Sequence, residues 1–138
     1  MVEAKRVVSL ADVGPDPLVV NIVSVVNNND YFRSALWTGN NLQVTVMNIE
    51  EGDDIGAEIH EEDQFIKIES GRATVFIGRS AEDFYYQRLI DKDFAVIIPA
   101  GTWHNIKNTG DVPLKLYSIY APPHHKKGTV NITKDEIE

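Results

Sequence analysis

The stretch Gly52-Asp-Asp-Ile-Gly-Ala-Glu58-Ile-His60-Glu-Glu-Asp-Gln64-Phe-Ile-Lys-Ile-Glu-Ser-Gly71 carries the decisive pattern of this chain. Glu58 and His60 stand at i and i+2, which puts both side chains on one face if the segment is extended. A tight acidic turn, Glu61-Glu-Asp63, leads to Gln64, which opens a run whose Ile66 and Ile68 share its face. Far downstream, His104 follows Pro99-Ala-Gly-Thr-Trp103. In an antiparallel barrel these separate segments converge on one interior point. Two imidazoles, one carboxylate and one amide oxygen then make a mixed N/O set suited to a divalent first-row metal.

Outward from this stretch, glycines and prolines break the chain into pieces too short for ordinary helices. Between them lie alternating or β-branched runs at Leu42–Ile49, Gln64–Glu69, Ala73–Ile77, Phe94–Ile98 and Leu114–Tyr120, with Phe84–Ile90 as a further strand. Short strands at regular spacing predict a sandwich or barrel. The continuous apolar run Leu18–Val26 reads as a strand or as a strand entering a short helix, because such a run does not separate the two. Asn27–Asp30 reads as a turn. Thr133-Lys-Asp-Glu136 has capping-box form and predicts a short C-terminal helix.

Composition narrows the function classes. The chain has 138 residues, 43% of them hydrophobic and 25% charged, which suits one globular domain. Thirteen basic against 21 acidic residues give a formal net charge of -8, which argues against a nucleic-acid partner. No apolar run approaches the roughly 20 residues of a membrane span. The absence of cysteine excludes disulfides, thiolate metal sites and a cysteine nucleophile. Residues 1–14 lack a charged start followed by a long apolar core, so no secretory signal and a cytoplasmic location are expected.

At two places the chain resembles the cupin superfamily. Its first motif, G-x5-H-x-H-x3,4-E-x6-G, matches in every spacing Gly52, Glu58, His60, Gln64 and Gly71. Its second, G-x5-P-x-G-x2-H-x3-N, matches Asp93, Pro99, Gly101, His104 and Asn108, with Asp where the motif begins with Gly. The segments Phe32-Arg33, Leu36–Gly39, Leu114–Pro123 and Gly128–Val130 are similar to the mannose-6-phosphate isomerase-like subgroup of small single-domain cupins. The resemblance implies an all-β double-stranded β-helix, a jelly-roll barrel, over residues 1–138 as one domain. The motif core spans about 52–108, with short helical segments flanking the barrel.

It also implies one divalent ion (zinc, iron, manganese or nickel) held by Glu58, His60, Gln64 and His104. The family's usual set is three His and one Glu; here the carboxylate has moved to the first position and an amide fills the third. Formal ligand charge is unchanged, and weaker or more exchangeable binding is expected because an amide oxygen is a poorer donor than imidazole. The implied activity is that of a metal-dependent isomerase or related enzyme on a sugar or sugar phosphate. Iron-dependent dioxygenation and non-catalytic binding of a small molecule, carbohydrate included, are the alternatives. Glu58 and His125 are the candidates for proton transfer, with a solvated loop as the competing reading of His125. Arg33, Trp103, Tyr117 and Tyr120 are the candidates for the substrate pocket. A homodimer is expected, with Leu18–Val26 as the segment that covers a sheet edge.

Overall fold

Period-two alternation bounded by turn residues produces short strands, and the computed structural model, which describes residues 11–136, contains nine of them. They are β1 (Arg33–Thr38), β2 (Gln43–Ile49), β3 (Asp63–Ser70), β4 (Ala73–Gly78), β5 (Tyr86–Ile90), β6 (Ala95–Ile98), β7 (Trp103–Asn108), β8 (Leu114–Ala121) and β9 (Val130–Asn131). One helix, α1 (Ile22–Asn27), precedes them, and a 3-10 turn at Lys134–Glu136 follows. The expected all-β jelly roll is the fold. All pairings between strands are antiparallel, in a six-stranded sheet ordered β6-β3-β8-β2-β1-β9 and a three-stranded sheet ordered β5-β4-β7. No helix among the described residues is long and apolar enough to cross a membrane. Residues 1–10, which carry most of the reading against a secretory signal, lie outside the described residues.

Cross-strand register sorts the inner face of the large sheet into rows. Ile49 pairs with Leu114, and the next row is Arg33, Met47, Leu116 and Ile68. Beyond it come Ala35, Thr45, Ser118, Ile66 and Val96, then Gln43, Tyr120, Gln64 and Ile98. The interior is therefore apolar at one end and polar at the other. Ile49, Ile68, Leu114 and Leu116 pack against Ala73, Val75 and Ile106 of the small sheet as the core. A slip of one residue in β3 or β8 would turn this whole set outward, so burial of the apolar rows locks the polar row in place.

The run Leu18–Val26 does not form an edge strand. Asn21 caps α1 by accepting a hydrogen bond from the Ser24 amide, and Ile22, Val25 and Val26 give the helix one apolar side. That side packs with Leu36, Val46 and Tyr117 on the outer face of the chain's own sheet. The turn at Asn27–Asp30 is pinned by Lys115, whose buried amine donates to Asn29 O, Asp30 Oδ1 and Asn48 Oδ1. Strand β1 was not evident from alternation. Its first four residues are all buried, because α1 covers one face and the barrel the other, and its register shifts between Ala35 and Trp37.

Asp93 explains one departure from the cupin pattern. It occupies a left-handed conformation, φ 72°, where the motif places glycine, and its amide donates to Ile68 O. Aspartate tolerates this region better than most residues, whereas a β-branched side chain does not. Asp93→Gly should therefore change stability by less than about 1 kcal/mol, while Asp93→Val should cost about 1–2 kcal/mol in urea unfolding.

Asp12 supplies a second test. Burial alone would raise its carboxyl, but the Thr38 hydroxyl and the amides of Gly128, Gly14 and Thr38 outweigh it and hold the group below its ordinary 3.8. Its stabilisation is thus complete above that value and lost as pH falls through the lowered one. Asp12→Asn should flatten the acid limb of the stability curve measured between pH 5 and pH 2, at a cost of about 1 kcal/mol at neutral pH.

Candidate metal centre

Residues 52–60 run antiparallel beside β7 without forming a regular strand, interrupted by left-handed Gly52 and Gly56. The Ile55 amide donates to Ile106 O, and Glu58 and His104 exchange two backbone hydrogen bonds of 2.9 Å. The Gly101 amide in turn donates to His60 O. This pairing sets the faces. Glu58 lies opposite His104 and His60 follows two residues on, so the three side chains project together. Their ligand atoms all lie within 4.8 Å of one another. Glu58 Oε2 is 2.9 Å from His60 Nε2, and the His60 and His104 rings are 5.1 Å apart.

Gln64 enters from the large sheet, paired with Tyr120, whose ring lies 5.8 Å from that of His60. Its Nε2 donates to Ser118 Oγ at 3.3 Å, while its Oε1 is buried with no hydrogen-bond partner. His104 shows the same pattern. Its Nδ1 is 3.0 Å from Thr102 O; a carbonyl only accepts, so Nδ1 carries the hydrogen and Nε2 is left bare. Nε2 is also buried without a partner. Burial lowers the His104 pKa, helped by His60, against the opposing Thr102 hydrogen bond and Glu58 charge, so the imidazole is neutral. Leaving a buried acceptor unsatisfied costs about 1–3 kcal/mol. Two such acceptors, a neutral imidazole and an amide oxygen, beside a carboxylate and a second imidazole, fit a divalent cation.

All four histidines of the chain gather here. The His124 ring is 4.2 Å from His60 and 4.7 Å from His125, and Tyr120 touches both. His124 Nδ1 is 3.0 Å from Glu62 Oε1, so His60, Glu62 and His124 form an outer set that also could hold an ion and that shares His60 with the inner one. The loop carrying His124 and His125 is clamped by Gln43, whose Oε1 accepts from both amides and whose Nε2 donates to His125 O. Burial, with the Arg33 charge second, pushes His125 down to about 3. Burial raises the Tyr120 phenol, so it stays protonated.

The pocket candidates divide. Arg33 and Tyr120 are buried on the inner face. Tyr117 lies on the opposite face of β8, against Phe65 and the α1 cluster, and does not line the interior. Trp103 immediately precedes inward-facing His104 on β7, so alternation turns it away from the ligand cluster. His125 is half-buried against Tyr120 rather than in a free solvated loop. Glu62, in the acidic turn before Gln64, is turned onto His124. Sequence reasoning also passed over Gln43. A glutamine at a strand start signals nothing until its partners 81 and 82 residues away are known.

A family model described as "Cupin domain" matches residues 45–120. The "Uncharacterized protein YrkC" of Bacillus subtilis (strain 168) is 55% identical over 126 residues, covering 91% of this chain and 68% of that protein. "Uncharacterized protein L612" of Acanthamoeba polyphaga mimivirus is 33% identical over 120 residues, covering 86% of this chain and 73% of that protein. The crystal structure of BH2720 from Bacillus halodurans superposes with a TM-score of 0.89 at 54% identity, covering 91% of this chain and 96% of that one.

Removing an outer-shell partner of a metal site typically costs 10–100-fold in affinity. Loss of a ligand atom should cost no less, so Gln64→Leu should weaken zinc or manganese binding by at least about tenfold. Imidazole is the stronger donor, and Gln64→His should tighten binding. Competition titration against a chromogenic chelator measures both. Equal affinities in all three proteins would place Gln64 outside the coordination sphere.

Proposed function

The chain belongs to the cupin domain family, and on that premise we propose that it is a metal-dependent enzyme moving a proton on a small hydroxycarbonyl compound. The reaction class is that of an isomerase on a sugar or sugar-like substrate, as its likeness to the mannose-6-phosphate isomerase-like subgroup suggests. One observation carries the reading: the two partnerless buried acceptors, Gln64 Oε1 from the large sheet and His104 Nε2 from the small sheet, the latter clustered with Glu58 and His60. A bound divalent ion supplies Lewis acidity toward a substrate carbonyl oxygen. The remaining work falls to the chain's own groups. The Glu58 carboxylate, partly open to solvent, accepts the proton from carbon. The Tyr120 hydroxyl, held protonated by burial, donates a hydrogen bond. His125, uncharged at neutral pH, accepts one from a substrate hydroxyl. Gln43 keeps the His124–His125 loop over this end of the barrel.

A second reading has its own observation. Glu58, His60 and His104 form a two-histidine, one-carboxylate set of the kind that binds non-haem iron in oxygenases. A second copy of this chain is the proposed partner. β5 and β6 are the outermost strands of their sheets, and Tyr85, Leu89 and Ile97 around them are exposed.

Protein purified without added metal should carry about one divalent ion per chain. In heavy water, NMR should detect solvent deuterium entering the carbon beside the carbonyl in at least one member of a panel of aldoses, ketoses and sugar acids. Glu58→Gln, assayed at saturating metal because the ligand set loses its carboxylate, should slow this exchange by about 100-fold or more. A bound ion with no exchange on any member supports a binding cupin, and iron with substrate-dependent oxygen uptake supports the oxygenase. No stoichiometric ion, as isolated or after reconstitution, overturns the metal reading.

A further inference from the structure

Five buried side-chain atoms lack a hydrogen-bond partner among the described residues, and four of them belong to inner-face residues. Gln64 Oε1 and His104 Nε2 are the acceptors already assigned to the ion. The other two are of the opposite kind: Arg33 Nε, a donor, and Thr45 Oγ1, a hydroxyl free to donate. Arg33 pairs with Met47 and Thr45 with Ala35, so the two are diagonal neighbours on one face of β1 and β2. Arg33 is 3% exposed and Thr45 fully buried. Among the described residues, the Arg33 side chain makes no hydrogen bond and no ion pair; the Phe32 ring lies 5.3 Å from its guanidinium carbon.

An arginine keeps its charge wherever it sits, and a buried charge without a counter-ion is strongly destabilising. The charge reaches the polar end of the barrel, where it adds to the burial that lowers the His125 pKa and opposes the burial that raises that of Tyr120. Glu58 is the one carboxylate of the inner ligand set, and it is committed to that cluster. A divalent ion there would leave the interior more positive still. An anion between that cluster and Arg33 would offset both charges.

We propose that Arg33 and the Thr45 hydroxyl form a carboxylate-binding subsite, so that the ligand is a small hydroxy- or keto-acid, sugar acids included, rather than a neutral sugar. Tyr120, a diagonal neighbour of Thr45 across β2 and β8 whose hydroxyl lies 3.4 Å from His125 Nε2, is the further donor. A single arginine matches a singly charged carboxylate in bidentate geometry, whereas a phosphate dianion would call for a cluster of basic groups. The inference names the substrate class of the metal reading above and rests on it only for the ion at the ligand's other end. The Arg33 subsite itself belongs to the metal-free chain.

Calorimetry with two matched probe pairs separates these claims. Manganese-loaded protein should bind lactate about 10- to 100-fold more tightly than lactamide. Metal-free protein should be stabilised against heat by acetate but not by acetamide. Arg33→Met should erase both preferences, leave manganese stoichiometry unchanged and raise the melting temperature, because an unpaired buried charge has been replaced by an apolar chain of similar length. Arg33→Lys, which keeps the charge and loses the fork, should retain part of the preference. Failure to bind manganese would overturn the metal reading, and the acetate arm would then decide the subsite alone. Equal binding within each pair by the wild-type protein, or an undiminished preference in Arg33→Met, would overturn the subsite.

Discussion

The reciprocal backbone hydrogen bonds between Glu58 and His104 join two segments 46 residues apart and set the geometry on which the site depends. They fix which face of residues 52–60 looks inward and at what level along β7. With that joint made, Glu58, His60 and His104 are brought together by backbone pairing rather than by attraction between their side chains. This matters physically, because the side chains alone would not choose the arrangement. Burying two bare acceptors is unfavourable. The apolar rows of Ile49, Leu114, Leu116 and Ile68 supply the burial that holds them there.

The barrel is therefore divided along its axis between stability and chemistry. At one end Ile49, Ile68, Leu114 and Leu116 face Ala73, Val75 and Ile106, with Arg33 the one charged residue in their rows. At the other, Gln43, Thr45, Gln64, Ser118, Tyr120 and His104 are buried, and three of them keep an atom unpaired. A structure serving stability alone would have satisfied those atoms or replaced them. These atoms, with the unpaired Nε of Arg33, are the ones that the proposed ion and ligand would satisfy. Gln43 does the reverse: it spends its amide on three hydrogen bonds to the loop over the site.

Most of the fold was legible because strands β2, β3, β4, β6 and β8 are alternating or β-branched runs bounded by turn residues. β1 was not, since both of its faces are covered and Leu36 packs outward beneath α1 while Ala35 packs inward. The helical part of Leu18–Val26 was undecided for a related reason: an unbroken apolar run has no period, and the deciding feature is a single capping side chain, Asn21. At the site, motif spacing named Glu58, His60, Gln64 and His104. Parity alone could separate Tyr117 from Tyr120 but could not say which of them faced inward. That depended on the register of β8 with β2 and β3. The roles of Gln43, Glu62 and His124 stayed hidden because each depends on partners distant in sequence.

The central claim is that the barrel's inward acceptors hold a metal ion, and X-ray absorption spectroscopy on protein reconstituted with one equivalent of zinc tests it most directly. The account predicts nitrogen and oxygen neighbours at about 2.0–2.2 Å. Outer-shell scattering from the two imidazole rings of His60 and His104 should accompany them. A shell of oxygen alone, with no imidazole scattering, would contradict it.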